Sequence, residues 1–145
     1  MSESWPFLCY KQEMLRIQRP LYAEMIAHLK AVYPQEGCGL LAGIENQVFK
    51  NYPIENILHS PTAFEMDPLQ QVKTMLAIEN QANELLAIYH SHPHGPSKPS
   101  ETDIAQAYYP DTVNIIVSLA NWAAPTMRGF HIVDGVVSEV LLTME

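Results

Sequence analysis

Leu85-Leu86-Ala87-Ile88-Tyr89 runs straight into His90-Ser91-His92-Pro93, and this stretch governs how the rest of the chain is read. Five apolar residues, including a β-branched and an aromatic one, predict a short buried strand. In a strand, residues two apart project from the same face, so His90 and His92 stand side by side. Pro93 ends the strand just beyond them, which puts both imidazoles at the end of a sheet, where a cleft can open. Gly95, Pro96 and Pro99 make a stiff loop that turns back to Ser100-Glu101-Thr102-Asp103, the start of a short helix ending before Pro110. Asp103 can then supply a third group. Two neutral imidazoles and one carboxylate suit Zn²⁺ and leave a fourth tetrahedral position for water, the mark of a catalytic rather than a structural zinc. Ser100 and Asp103 also match a capping-box variant. The two readings are compatible, because a hydroxyl has two acceptor lone pairs and one proton to donate.

Outward from this point, strands and helices alternate. Leu8 to Ile17 opens with a short strand. Pro20 suits the first turn of a helix, and Leu21, Met25, Ile26, Leu29 and Val32 recur at helical spacing until Pro34. Gly37 to Gly43 is apolar and bounded by glycines, predicting a buried strand, with Asn46 to Ile54 returning beside it. Thr62 to Met66 reads as another short strand. Asp67 and Pro68 form an N-cap and N1 pair for a helix to about Asn83. Val113 to Leu119 is strand-like, and Met127 to Val133 and Val136 to Leu142 flank Asp134-Gly135, the strongest hairpin signal in the chain. The expectation is an α/β fold: one domain over residues 1–145, a mixed β-sheet with helices packed on it.

Composition excludes several function classes. The chain has 145 residues, 48% of them hydrophobic, which is enough for one sizeable core without help from disulfides. Eight Lys and Arg against sixteen Asp and Glu give a charge of −8, which repels phosphate backbones and anionic lipid, so neither nucleic acid nor membrane is expected as a partner. Cys9 and Cys38 permit one disulfide at most. With no apolar run of eighteen residues and no basic leader, the expectation is a soluble cytoplasmic protein.

Glu36 lies between Pro34 and Gly37, where helix hands over to strand. One reading makes it an exposed acid at a helix end. The other makes it a general base that takes a proton from a zinc-activated water, whose pKa the metal lowers to roughly 7. Only folding can bring it to His90.

Glu36, then His90-Ser91-His92-Pro93, then Ser100-Glu101-Thr102-Asp103 resembles the JAMM motif of the JAB1/MPN/Mov34 metalloproteases: Glu, a long gap, His-Ser/Thr-His-Pro, a short gap, Ser-x-x-Asp. Glu36-Gly37-Cys38-Gly39-Leu40-Leu41-Ala42-Gly43 is similar to the family's strand after the catalytic acid. The likeness extends from about Leu15 to Leu142. It implies the MPN fold, itself cytidine-deaminase-like, in the compact prokaryotic form. It further implies that His90, His92 and Asp103 hold one Zn²⁺ per chain. Glu36 would be general base and acid, and Ser100 would stabilise the oxyanion. The implied reaction is hydrolysis of a peptide or isopeptide bond after the C-terminus of a ubiquitin-like protein, of the sulfur-carrier type, by a zinc metallopeptidase; a homodimer is left open.

A non-catalytic MPN scaffold is the alternative reading. Other zinc chemistries lack their residues: there is no Pro-Cys-x-x-Cys of a deaminase and no His-Glu-x-x-His of a zincin. Cys38 reads as a small core residue, and His28, His59 and His131 have no clustered partners. His94 falls in the loop, its direction left open by the turn at Pro93. Tyr89, Tyr108, Tyr109 and Trp122 read by default as core, with the cleft wall as their alternative.

Overall fold

Glu84–His92 is the central strand of the sheet in the computed structural model, which describes residues 13–145. In chain order the elements are β1 (Met14–Ile17), α1 (Arg19–Ala31), β2 (Cys38–Ile44), β3 (Gln47–Ile54), α2 (Pro68–Asn80), β4 (Glu84–His92), α3 (Glu101–Ala105), β5 (Val113–Ser118), β6 (Thr126–Val133) and β7 (Val136–Met144). β4 pairs antiparallel with β2 and parallel with β5, so its backbone is satisfied on both edges and nearly all its later residues are buried.

The mixed α/β expectation holds, but the sheet does more than lie between helices. Its order is β1-β3-β2-β4-β5-β6-β7, and it closes into a barrel because β1 pairs in parallel with both β3 and β7. Closure depends on contacts such as Leu15 with Leu142, from opposite ends of the chain, which no local pattern announces. Among the described residues, no helix is long and apolar enough to cross a membrane.

Alternation along the strands sorts the core into two faces. Leu15, Ile17, Leu41, Val48, Tyr89, Ile115 and Val117 form the larger cluster, joined by Leu21, Met25 and Leu29 of α1. Met25 and Leu29 are fully buried, and each contributes on the order of 1.5–3 kcal/mol, several times any propensity effect, so packing is what holds α1 in place. On the opposite face Cys38, Leu40, Ile54 and Met66 pack against Met75 of α2, while Ile116, Phe130 and Ile132 pack against Ile104 of α3. His90 and His92 share this second face with Ile88, one residue out of phase with Tyr89 and Ser91.

The Asp134-Gly135 turn forms as read, with φ of 51° and 79°, the pair of left-handed residues a type I′ turn requires. The expected strand at Thr62–Met66 does not form. Only Met66 makes an isolated bridge, to Asn56, because side-chain bonds from Asn56 take up the backbone groups a ladder would use. The second helix stops at Asn80 rather than Asn83, since Ala82 adopts a left-handed φ of 57°. Tyr89 is core, whereas Tyr108, Tyr109 and Trp122 are 74%, 41% and 47% exposed, so their default reading fails. Leu8 and Cys9 lie outside the described residues.

Gly39 sits opposite Tyr89 across the β2–β4 ladder, and a Cβ there would come within 2.4 Å of the tyrosine ring. That ring is buried and anchored by donation from its hydroxyl to Asn51 Oδ1 at 2.6 Å, so it cannot swing aside. Gly39→Ala is expected to cost about 1–3 kcal/mol, read as a lowered Tm; an unchanged Tm would contradict this packing.

Candidate metal centre

β4 carries His90 and His92 to its end on one face, and α3 lays Asp103 against them. His90 Nε2 and His92 Nε2 are 3.2 Å apart. The Asp103 carboxylate straddles the pair, with Oδ1 3.2 Å from His90 Nε2 and Oδ2 3.0 Å from His92 Nε2. Among the described residues, this is the only group of histidine, cysteine and acidic side chains converging tightly enough to hold a metal ion. The spacing fits one: a tetrahedral shell with bonds of about 2.0–2.1 Å sets its ligand atoms roughly 3.3 Å apart.

Neighbouring groups fix these side chains. Only a protonated ring nitrogen can donate to a carbonyl, so the bond from His92 Nδ1 to Pro96 O at 2.8 Å keeps the proton of the neutral ring on Nδ1 and frees Nε2, on the side of Asp103 and His90, as the ligand atom. Phe64 stacks on the His90 ring with centroids 4.5 Å apart. The intervening loop is tied down where Ser118 Oγ donates to Gly95 O at 2.6 Å. The Ser100 turn forms the capping box. Ser100 Oγ accepts from Asp103 N at 3.1 Å, and Asp103 Oδ2 accepts from Ser100 N at 2.9 Å, so the carboxylate that completes the capping box also faces the histidines.

Electrostatics puts most of the group in the protonation state that ligation needs. Burial pushes the His90 pKa down and prevails over the opposing pull of Asp103, favouring the neutral imidazole. Burial pushes Asp103 upward, but hydrogen bonds with His90 and His92 outweigh it and hold the carboxyl well below its usual range. His92 is lowered by burial, yet Asp103 and Pro96 together raise it above its ordinary value. A divalent cation held by this group would reverse that last effect, since it disfavours the imidazolium.

Glu36 is buried, 5% exposed, so the exposed-acid reading is overturned. Its placement follows from a reciprocal stitch: Gly37 N donates to Ser91 Oγ at 2.8 Å, and Ser91 N donates to Gly37 O at 3.0 Å. Ser91 lies between the two histidines, so this stitch draws residue 36 to the end of β4. Burial pushes the Glu36 carboxyl up to about 7, with His92 pulling it down and Asp103 pushing it up. A carboxyl poised near neutral pH can both accept and return a proton. The structure therefore brings together all four groups that the sequence scatters over residues 36 to 103, with Ser100 at the rim.

Beside His90 and Asp103 opens a cleft of about 430 Å³, walled by Phe64, Met66, Ile88, Ile116, Tyr108 and Tyr109. The remaining candidates stay apart. Cys38 is a buried thiol pushed up to about 12, chiefly by burial, and is chemically quiet. His28 bonds to Cys38 O, and exposed His59 lies 3.8 Å from Glu55. His131 is buried in the sheet and His94 stacks edge-on to Tyr33, both outside the metal group. Phe64, Pro96 and Asn56 are site residues the sequence reading missed. Asn56 has a local signature, an Asx turn to Leu58 N, but its long-range bonds have none.

Comparison with known proteins gives the same outline. The family described as prokaryotic homologs of the JAB domain matches residues 18–133. A protein of Mycobacterium tuberculosis named "CysO-cysteine peptidase" is 35% identical over 128 residues, 87% of this chain and 88% of its own length. One of Thermus thermophilus named "Probable TtuB-protein conjugate cleaving protease" is 44% identical over 99 residues, 68% of this chain and 66% of that protein. The solution structure of a Desulfitobacterium hafniense protein superposes with a TM-score of 0.84 at 32% identity, covering 91% of this chain and 93% of the other.

Proposed function

The chain belongs to the prokaryotic homologues of the JAB domain, and from that premise we propose that it is a zinc-dependent isopeptidase. Its substrate would be a ubiquitin-like protein of the sulfur-carrier type, and it would cleave a peptide or isopeptide bond following that protein's C-terminus. Residues 1–145 act as one such domain, in the cytoplasm. The observation that carries the proposal is the convergence of His90, His92 and Asp103 with buried Glu36 beside them. The names of the Mycobacterium and Thermus relatives support the substrate class, because each describes cleavage of something joined to a named protein.

His90, His92 and Asp103 would hold the zinc, one ion per chain. Bound there, zinc supplies a Lewis acid for the scissile carbonyl and makes water nucleophilic at neutral pH. The chain's own groups do the rest. Glu36 takes the proton from the attacking water and hands it to the leaving amine nitrogen, which its near-neutral carboxyl permits. Ser100 already accepts the Asp103 N–H, so its own proton is free for the oxygen on which negative charge develops. The apolar cleft beside His90 receives the polypeptide next to the scissile bond and excludes water from it.

The test is a zinc-loaded sample mixed with a ubiquitin-like protein that carries a C-terminal extension. Release of the extension, stopped by a chelator, is the expected outcome; tight binding with no cleavage would instead mark a scaffold. Ser100→Ala is expected to lower kcat by about 10²–10³-fold and, through the lost cap, to cost stability by about 1 kcal/mol. A kcat within twofold of wild type together with that stability loss would restrict Ser100 to capping.

A further inference from the structure

Asn56 is 5% exposed, and both ends of its side-chain amide are fully used. Its Nδ2 donates to Glu36 O at 2.9 Å and to Ala63 O at 3.0 Å. Its Oδ1 accepts from Leu58 N at 3.0 Å and from Glu65 N at 3.1 Å. One amide thus ties the backbone of Glu36 to both ends of the segment that carries Phe64, the ring stacked on His90. Ala63, Phe64 and Glu65 also line the cleft beside the metal group. Four bonds from one buried amide exceed what an ordinary Asx turn needs; three of them close the loop on itself, and the fourth, to Glu36 O, reaches across the fold.

From this network we infer that Asn56 is a positioning residue for the hydrolysis proposed above, setting Glu36 and the cleft wall at 63–65 in one fixed relation. The inference rests on that reading of the site for its kinetic consequences and on the hydrogen bonds alone for its structural ones. Asn56 touches no reacting atom. A shift of about 1 Å in a group that must meet a reacting proton costs on the order of 10²-fold in rate, so the effect should be large.

Two variants separate the two ends of the amide. Asn56→Asp keeps the acceptor for Leu58 and Glu65 but sets a carboxylate oxygen against the carbonyls of Glu36 and Ala63. Asn56→Ala removes all four bonds. Asn56→Asp is expected to lower kcat by about 10²-fold with KM within a few-fold, and Asn56→Ala to lower kcat equally while raising KM as the cleft wall loosens. Zinc content stays at one per chain in both, since no ligand is altered. Ile78→Val in α2, a buried side chain outside the cleft, controls for stability: it lowers Tm while kcat and KM hold. A wild-type kcat in either Asn56 variant, or equal kinetic loss in Ile78→Val, would overturn the inference. Amide exchange supplies a readout without substrate. In Asn56→Asp the Glu36 N–H, donated to Ser60 O, should exchange faster while Leu58 and Glu65 stay protected, and unchanged exchange at Glu36 would also overturn it. If the wild type cleaves nothing, the hydrolase reading fails, and the exchange data still decide whether Asn56 holds Glu36.

Discussion

Glu36→Gln is expected to remove about 10²–10⁴-fold of turnover while zinc remains bound at one ion per chain. The amide keeps the volume and backbone bonds of Glu36, including the contacts to Asn56 and Ser60, and removes only the capacity to take a proton. The same substitution has a signature in the metal-free protein. Burial raises the folded-state pKa of Glu36 from 4.5 to about 7, so between those values the folded chain binds more protons than the unfolded one. Stability from this group therefore falls as pH rises through that window, and the penalty is complete above 7. Glu36→Gln should accordingly raise the Tm of the metal-free protein at pH 8 relative to wild type, and leave it little changed at pH 4. Undiminished turnover would remove Glu36 from the mechanism; a Tm gain of equal size at both pH values would contradict the buried, titrating carboxyl.

His90→Ala, His92→Ala and Asp103→Ala should each strip zinc and hydrolysis together, the largest effect in the molecule. Each leaves two of three ligands, and zinc affinity in such sites depends on a preformed set. The three should differ in what else they disturb. Asp103→Ala also breaks the capping box of α3, costing about 1 kcal/mol even without metal, because its carboxylate accepts from Ser100 N. His92→Ala frees the Pro96 carbonyl and loosens the loop it anchors. Elemental analysis of purified variants checks the shared outcome, and one zinc per chain retained in any of the three would count against this ligand set.

Much of this site is legible in the residues because its chemistry is local. His90 and His92 are two apart on one strand, and strand periodicity alone makes them neighbours. Ser100 and Asp103 are three apart at a helix start, and capping alone gives their mutual bonds. The Asp67-Pro68 helix start and the Asp134-Gly135 turn are equally local, and both form where read. What could not be read is what joins distant segments. Barrel closure through β1, the stitch between Gly37 and Ser91, and the reach of Asn56 to Glu36 all pair residues that only the folded chain brings close. The segment at Thr62–Met66 shows how such a contact overrides a local pattern: its apolar character suggested a strand, and Asn56 claims its backbone groups instead. Tyr108 and Tyr109 mislead in the opposite sense. Aromatic residues near a helix end read as core, yet here they stand exposed at the mouth of the cleft.

The most direct test of the central claim is a zinc titration of chelator-treated protein, with bound metal and cleavage of a C-terminally extended ubiquitin-like protein measured on the same samples. Cleavage should rise in proportion to bound zinc and level off at one ion per chain, and Glu36→Gln should bind the same ion and stay silent. Cleavage that persists in zinc-free protein, or that proceeds equally well in the Glu36→Gln sample, would contradict that claim.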